Sequence, residues 1–232
     1  MTLEKLIEEN EVFSSLNRSE IRMLVDNAKS KPLTKNEWLV YAGDIWSYIF
    51  LVGRGRIVAL KESREGRVLN VMTLEAGEIF WGFSFFKDGA PMPVSLRAVE
   101  NCLVYLWHRD DILPLIRRNG MFSWNLSRLM VERMQVASDL VEGLAFRHVT
   151  GRLAKMLLDR YKGNREETIA RNFTLDDVAA QIGSTREMVC RVLYKFADTG
   201  AIQINRTELK IKNLSLLESE AGFIDDESKK IE

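Results

Sequence analysis

The sequence has two cysteines in 232 residues, Cys102 and Cys190. They are too few for a disulfide framework and too few to hold an iron–sulfur cluster with cysteine alone. Histidine is equally scarce: His108 and His148 are the only two, and both read as structural or surface residues rather than as metal ligands. No long apolar run occurs. The longest, near residues 45–53, falls far short of the roughly 20 residues that a membrane helix needs. The first residues lack a basic segment leading into an apolar one, so no signal peptide is expected and the cytoplasm is the natural location. Neither charge is in excess, with 33 Lys+Arg against 33 Asp+Glu. Also missing are a nucleophile elbow, a phosphate-cradling glycine loop and a metal-spaced histidine cluster, so no enzyme is expected.

What is present is the balance of a folded protein, 46% hydrophobic and 28% charged, in a length that suits one large domain or two small ones. The zero net charge hides an asymmetry. Thr150–Leu217 holds 12 basic and 8 acidic residues, whereas Glu218–Glu232 holds 2 basic and 6 acidic. A polyanion would meet the locally basic segment and not the average.

Along the chain, residues 1–30 read as short helices, the second running from Ser19 through Ala28 and ended by Pro32. From Leu33 to about Leu106, short β-branched and aromatic runs alternate with glycines: Trp38–Tyr41, Tyr48–Val52, Ile57–Leu60, Val68–Leu74, Ile79–Phe86 and Leu103–Leu106. That spacing predicts a small antiparallel barrel or sandwich. Asp110–Ile116 reads as a short helix. A long helix follows from near Ser123 to about Phe146, with Leu126, Leu129, Met130, Arg133, Met134, Ala137, Leu140, Val141 and Leu144 at three- and four-residue steps. The stripe suits a coiled-coil seam between two subunits; one amphipathic helix packed on its own barrel has the same spacing. Beyond Thr150 come a helix to Tyr161, a polar loop over Lys162–Asn172, two helices within Thr174–Thr199 and a hairpin of Ile202–Ile204 and Leu209–Ile211. The last 15 residues are acidic and poorly patterned, and are expected to form a mobile tail.

Residues 174–197 carry the chemistry. Thr174 can cap a helix with Asp177 in its first turn, and Val178, Ala179 and Ile182 give that helix an apolar face. Gly183 allows a tight turn, and Ser184 or Thr185 can cap the next helix. Two short helices about a glycine turn form the helix-turn-helix pattern. On the second helix Arg186, Cys190, Tyr194, Glu187 and Arg191 fall within about 140° of the wheel, and Met188, Val189, Val192, Leu193 and Phe196 occupy the other side. Such a helix can dock by its apolar face and present Arg186, Glu187, Cys190 and Arg191 to base edges in a major groove. There arginine bonds guanine O6 and N7, and glutamate accepts from cytosine N4. Thr174, Ser184, Thr185, Lys195 and Arg206 are assigned to the phosphate backbone, with Lys162, Lys210 and Lys212 in support. An ordinary solvated helix face is the bland alternative for the same charges.

The sequence resembles the CRP/FNR family of bacterial transcription regulators along nearly all of residues 5–217. The match is most specific in Leu144-Ala145-Phe146-Arg147-His148-Val149-Thr150-Gly151-Arg152-Leu153 and in Gly183-Ser184-Thr185-Arg186-Glu187-Met188-Val189-Cys190-Arg191. The resemblance implies an α+β chain: a jelly-roll-like antiparallel β-roll sensor with flanking helices (1–122), a dimerisation helix (123–147), a winged helix-turn-helix (148–217) and the acidic tail (218–232). It further implies a homodimer on a palindromic operator of TGTGA-type half-sites, and RNA polymerase contact for the family's activators, at residues the sequence does not place. A regulatory module that binds a cyclic nucleotide or another small ligand and acts through a protein partner is the alternative; the base-reading arrangement speaks against it.

The sensor resembles a cyclic-nucleotide-binding β-roll through Gly77-Glu78-Ile79-Phe80. Members that bind cyclic AMP follow this Gly-Glu with a second one, whose glutamate bonds the ribose, and further on with an Arg-Ser pair, whose arginine holds the phosphate. Here those positions read Trp81-Gly82 and Met92-Pro93, and the adenine-contacting threonine of the long helix is Ala137, followed by Ser138. A buried phosphate without a charged partner is strongly disfavoured, so cyclic AMP is not expected, and no cofactor is expected. The sequence names no effector. Trp81, Phe83, Met92 and Ser138 are the candidate effector pocket, with β-roll core as the competing reading of the aromatics. Cys102 reads as inert core. Cys190, among arginines, is a candidate for oxidation that would weaken DNA binding.

Overall fold

The computed structural model describes residues 2–160, 169–170, 173–205 and 208–222. The chain folds as two compact units, Met1–Lys61 with Asn70–Ser138, and Glu62–Leu69 with Asp139–Glu232.

The first unit opens with helices whose ends are fixed by side chains. Helix α1 (Leu3–Glu9) is followed by a 3-10 turn (Glu11–Phe13) capped by Asn10, whose Oδ1 accepts the Val12 N–H at 2.9 Å. Helix α2 (Arg18–Asn27) has a complete capping box. Asn17 Oδ1 accepts from the Glu20 N–H, and Glu20 Oε2 accepts from the Asn17 N–H, both at 3.0 Å. Pro32 does not end this helix, contrary to the sequence expectation. It lies inside strand β1 (Lys29–Leu33), an edge strand paired only with one neighbour, where a missing N–H is tolerated.

Seven strands follow: β2 (Trp38–Val40), β3 (Tyr48–Arg54), β4 (Ile57–Glu62), β5 (Val68–Leu74), β6 (Ile79–Trp81), β7 (Ser95–Ala98) and β8 (Cys102–His108), with a short helix α3 (Phe83–Phe86) after β6. Two helices complete the series, α4 (Arg109–Arg118) and α5 (Gly120–Phe146). The strands form two four-stranded sheets, ordered β1-β8-β3-β6 and β2-β7-β4-β5. The predicted Ile79–Phe86 strand is thus half strand and half helix, since the Phe85 and Lys87 N–H groups turn back onto the carbonyls of Gly82 and Phe83.

The apolar run of β3 is explained by burial on both faces. Its alternate residues Ile49 and Leu51 join a core with Leu6, Ile7, Leu24 and Phe122 from the helices. Phe50 and Val52 join the core between the sheets, with Ile57, Leu96 and Val104. Trp107 of β8 is fully buried in the helical core, and its indole N–H donates to the Leu24 carbonyl at 2.7 Å. Asn119 separates α4 from α5 and accepts the Phe122 N–H at 3.0 Å, which starts α5 a turn earlier than the expected Ser123. The buried Asn125 then donates to the Glu11 carbonyl at 3.1 Å, tying the first turns of α5 to the N-terminal helices. At 27 residues and 1.5 Å per residue, α5 is about 40 Å long.

The second unit contains α6 (Val149–Arg160), β9 (Ile169–Ala170), α7 (Leu175–Ile182), α8 (Arg186–Asp198), β10 (Ile202–Ile204), β11 (Glu208–Ile211) and α9 (Leu214–Glu220). Its sheet is ordered β10-β11-β9, so the expected hairpin gains a third strand inside the segment expected to be loop. The rest of that loop lies outside the described residues, as do residues 206 and 207 of the hairpin turn and 223–232 of the tail. The start of the tail differs from expectation. Helix α9 reaches Glu220, and Leu217 and Ala221 are buried in the core with Leu153, Leu157, Val189 and Phe196.

Phe122 is fully buried against Phe13, with ring centroids 5.6 Å apart. Phe122→Ala is expected to cost this unit about 3–5 kcal/mol. A urea melt followed by tryptophan fluorescence checks it, because Trp38, Trp46, Trp81, Trp107 and Trp124 all lie in the first unit.

Candidate nucleic-acid interface

Helix α7 begins on Thr174, whose hydroxyl accepts the Asp177 N–H at 3.1 Å while the Asp177 carboxylate accepts the Thr174 N–H at 3.0 Å. Its other end is set by Gly183, which adopts φ of 61°, a left-handed conformation that a side chain would strain. The Ser184 N–H bonds back to the Ala179 carbonyl at 2.9 Å, and Thr185 caps α8 by accepting the Met188 N–H at 3.3 Å. Ser184 and Thr185, assigned to phosphates from the sequence, therefore sit in the turn between the two helices, and Thr174 sits exposed at the start of the first.

A residue given no role from the sequence holds this turn. Arg152, on α6, donates from Nε to the Ile182 carbonyl at 2.7 Å, from Nη2 to Gly183 at 3.3 Å and from Nη1 to Arg147 at 2.5 Å. Its partial burial pulls its pKa down from the ordinary guanidinium value. The sequence signal for it is weak: a half-buried cation among the buried Gly151, Leu153, Ala154, Met156 and Leu157, in a helix that also carries the exposed Lys155.

Helix α8 has two chemically distinct sides. Val189, Val192, Leu193 and Phe196 are buried, whereas Arg186, Glu187, Arg191, Tyr194 and Lys195 are exposed and Cys190 is half-buried between the two sets. The structure thus brings Arg186, Glu187, Cys190 and Arg191 onto one side of one helix. Tyr194, with no assigned role, shares that side at 65% exposure. Arg186 Nη1 lies 3.5 Å from Asp176 Oδ2, an exposed pair of modest strength. Glu187 has its carboxyl held below the usual carboxylate range, first by its own backbone N–H, then by the Thr185 hydroxyl and by the charge of Arg186. Lys195 Nζ is paired with Glu220 Oε1 at 2.6 Å. On the hairpin, Lys212 is exposed and Lys210 half-buried; Lys162 and Arg206, assigned to phosphates from the sequence, lie outside the described residues.

In the first unit, a cavity of about 410 Å³ is bounded by the sheets, α3 and one side of α5. Trp81 and Phe83 line it; Met92 is buried in the core between the sheets, and α5 contributes Met130, Arg133, Met134 and Ala137 but not Ser138. Arg97 sits in β7 with its guanidinium 5.3 Å from the Trp38 ring and takes no part in the lining. Arg133 of α5, a member of the stripe read from the sequence, is among the lining residues, and its guanidinium pairs with Glu78 at 2.9 Å. Cys102 is buried beneath the Arg56 and Glu100 carbonyls, and desolvation pushes its thiol pKa up, away from the reactive thiolate.

These two units match two known domain families: residues 151–220 the Crp-like helix-turn-helix domain, and residues 30–119 the cyclic nucleotide-binding domain. The chain is 26% identical over 209 residues to the Cyclic AMP receptor protein of Thermus thermophilus, covering 89% of this chain and 94% of that one. It is likewise 26% identical to the cAMP-activated global transcriptional regulator Vfr of Pseudomonas aeruginosa, over 78% of this chain and 88% of that one. In fold it is similar to the c-di-GMP responsive global regulator CLP of Xanthomonas campestris (TM-score 0.75, 17% identity, 84% of this chain and 99% of that one). It is also similar to a CooA mutant from Carboxydothermus hydrogenoformans (TM-score 0.72, 21% identity, 95% of this chain and 100% of that one). An antiparallel β-sandwich sensor joined in one chain to a helix-turn-helix defines a DNA-binding transcription regulator, a class of binding proteins and not of enzymes. The chain belongs to the CRP/FNR family.

Two outcomes are expected here. Arg152→Met leaves the carbonyls of Arg147, Ile182 and Gly183 without their charged donor and should destabilise the second unit by about 1.5–3 kcal/mol. The check is a denaturant melt together with faster hydrogen exchange in the turn. Glu187 should titrate in an NMR pH series below an ordinary glutamate. Because its folded pKa is depressed, its contribution to stability is present above the unfolded pKa and is lost as pH falls through the folded value. Glu187→Gln should remove that acid-side dependence.

Proposed function

We propose that this regulator works as a homodimer on a two-fold symmetric operator built of TGTGA-type half-sites. The observation that carries the reading is the exposed guanidinium–carboxylate–guanidinium side of α8, opposite a fully buried apolar side. Arg186 and Arg191 supply the bidentate donors that read guanine, and Glu187, ionised, accepts from cytosine. Thr174, Ser184, Thr185, Lys195 and Arg206 position the domain on phosphates, Lys195 by exchanging Glu220 for a phosphate oxygen.

The dimer reading rests on α5. In the single chain Val131, Met134, Val141 and Phe146 are 61%, 68%, 65% and 83% exposed. Apolar side chains at heptad-like spacing and facing solvent are what a second copy would cover. Two reading heads about one dyad then require half-sites one helical turn apart. In the family's manner, activators of this type contact RNA polymerase. Among the described residues no helix is long and apolar enough to cross a membrane, and the cytoplasm is the proposed location.

The cavity against α5 is the proposed effector site, with Trp81 and Phe83 in its wall. Cyclic AMP does not suit it, although the relatives named above include cyclic AMP receptors. A Cβ at Gly82, where those members carry a glutamate, would run into the Trp46 carbonyl oxygen. No arginine stands at Met92-Pro93, and the one guanidinium in the wall is already paired with Glu78.

A gel-shift titration tests the DNA reading. The protein should hold a symmetric TGTGA-type duplex with two chains per duplex, and the affinity should fall steeply with salt. Arg186→Ala and Arg191→Ala should each weaken the specific complex by about 1–3 kcal/mol with little change on random DNA. Equal losses on both duplexes would overturn the assignment of these arginines to bases.

A further inference from the structure

Helix α9 leaves the core beside α8 at a fixed point. Leu217 and Ala221 are buried. The Glu220 carbonyl oxygen packs 2.9 Å from where a Cβ on Gly151 would stand, and Arg147 Nη1 donates to the Ala221 carbonyl at 3.1 Å. These contacts seat Glu220 against α8, where its Oε1 accepts from Lys195 Nζ at 2.6 Å. A carboxylate of the acidic segment therefore already sits on a cation of the reading helix.

The chain beyond this point is more acidic still. Residues 218–232 hold 6 acidic and 2 basic residues, and Asp225, Asp226 and Glu227 are consecutive. They follow Gly222 closely enough to reach up to about 10–17 Å from it. Arg191 stands one turn from Lys195, about 6 Å along the α8 axis. It is exposed and pairs with no carboxylate among the described residues, whereas Arg186 has Asp176 at 3.5 Å. In the other direction α8 ends on the exposed Asp198, which repels a carboxylate. For an acidic chain leaving α9, the open positive position next to Lys195 is thus Arg191.

We propose that residues 223–232 fold back on α8, set the carboxylates of Asp225, Asp226 and Glu227 against Arg191, and compete with DNA for the reading face. Each such contact is an exposed ion pair and weak by itself. A short tether, however, holds it at an effective concentration on the order of millimolar. Salt screens the attraction, and salt also weakens attachment to random DNA, so the segment acts where stray binding is strongest. The proposal rests on α8 being the helix that meets DNA, and is indifferent to which bases it reads.

Three full-fold forms test it: the whole chain, a chain stopped after Gly222, and the whole chain with Asp225→Asn, Asp226→Asn and Glu227→Gln. All keep α9 with its buried Leu217 and Ala221. On a random-sequence duplex at about 50 mM salt, both altered forms should bind at least about 5-fold tighter than the whole chain, and the gain should shrink below about 2-fold at about 300 mM. Without DNA, the Arg191 Nε–H resonance should move in both altered forms, while that of Arg117, in the first unit, stays in place. The proposal falls if removal leaves the affinity within about 2-fold at low salt, if removal tightens binding but neutralisation does not, if the gain persists at high salt, or if the Arg191 signal does not move. A segment reserved for a protein partner would give the first and last of these results. If the Arg191 signal moves but the protein holds no duplex of any sequence, the contact stands and the assignment of α8 to DNA fails.

Discussion

Strand β3 is buried on both faces over Ile49–Val52, and the first unit is organised around that constraint. One face of the β1-β8-β3-β6 sheet closes the sandwich and the other receives the helices, so the buried residues of β3, β6 and β8 fall into one of two cores according to parity. A one-residue slip in β3 would exchange Ile49 and Leu51 with Phe50 and Val52 and disturb both cores at once. The same sheet, through Trp107 and the helical core it anchors, seats Phe122 and Leu126 and so fixes where α5 leaves the unit. The wall of the cavity inherits that placement. Arg133, Met134 and Ala137 reach it because the buried first turns of α5 set the rotation of the later ones.

In the second unit the corresponding constraint is the turn between α7 and α8. A left-handed glycine and a guanidinium bonded to its carbonyl fix the start of α8, and the apolar side of α8 fixes its rotation. The charged side chains are left at the surface with their partners, Asp176 for Arg186 and Glu220 for Lys195. In the proposed complex each pairing is a local competitor of nucleic acid: a phosphate or base would replace an existing carboxylate, which disfavours loose contacts more than well-fitted ones.

Where the governing signal is local, the sequence is legible. The β3 run, the long stripe of α5 and the cap–glycine–cap series of residues 174–185 all survive in the structure because periodicity and capping decide them within a few residues. The misses have tertiary causes. Strand β1, Lys29–Leu33, carries two lysines and a proline and is a strand only because β8 offers it an edge. The four residues of β7 are too few to show alternation. Phe83–Phe86 has the composition of a strand, but its backbone closes into a helical turn. Helix α9 is hidden by its acidic surroundings, although Leu214, Leu217 and Ala221 have helical spacing. In the site, the α8 face is readable from a wheel, whereas Arg152 and Arg133 act through groups distant in sequence. The Met92-Pro93 segment carries no cation where the cyclic-AMP-binding pattern places one.

The contact at Gly82 bears on how such sensors diverge. With the Trp46 carbonyl occupying the space of a side chain, no single codon change at that position can create a ribose-binding glutamate. The loop carrying Trp46 would have to be rebuilt first, and that intermediate would have neither the present packing nor the new contact. Crowding by main chain, which no exchange of the residues lining the cavity would relieve, therefore stands against any side chain at this position.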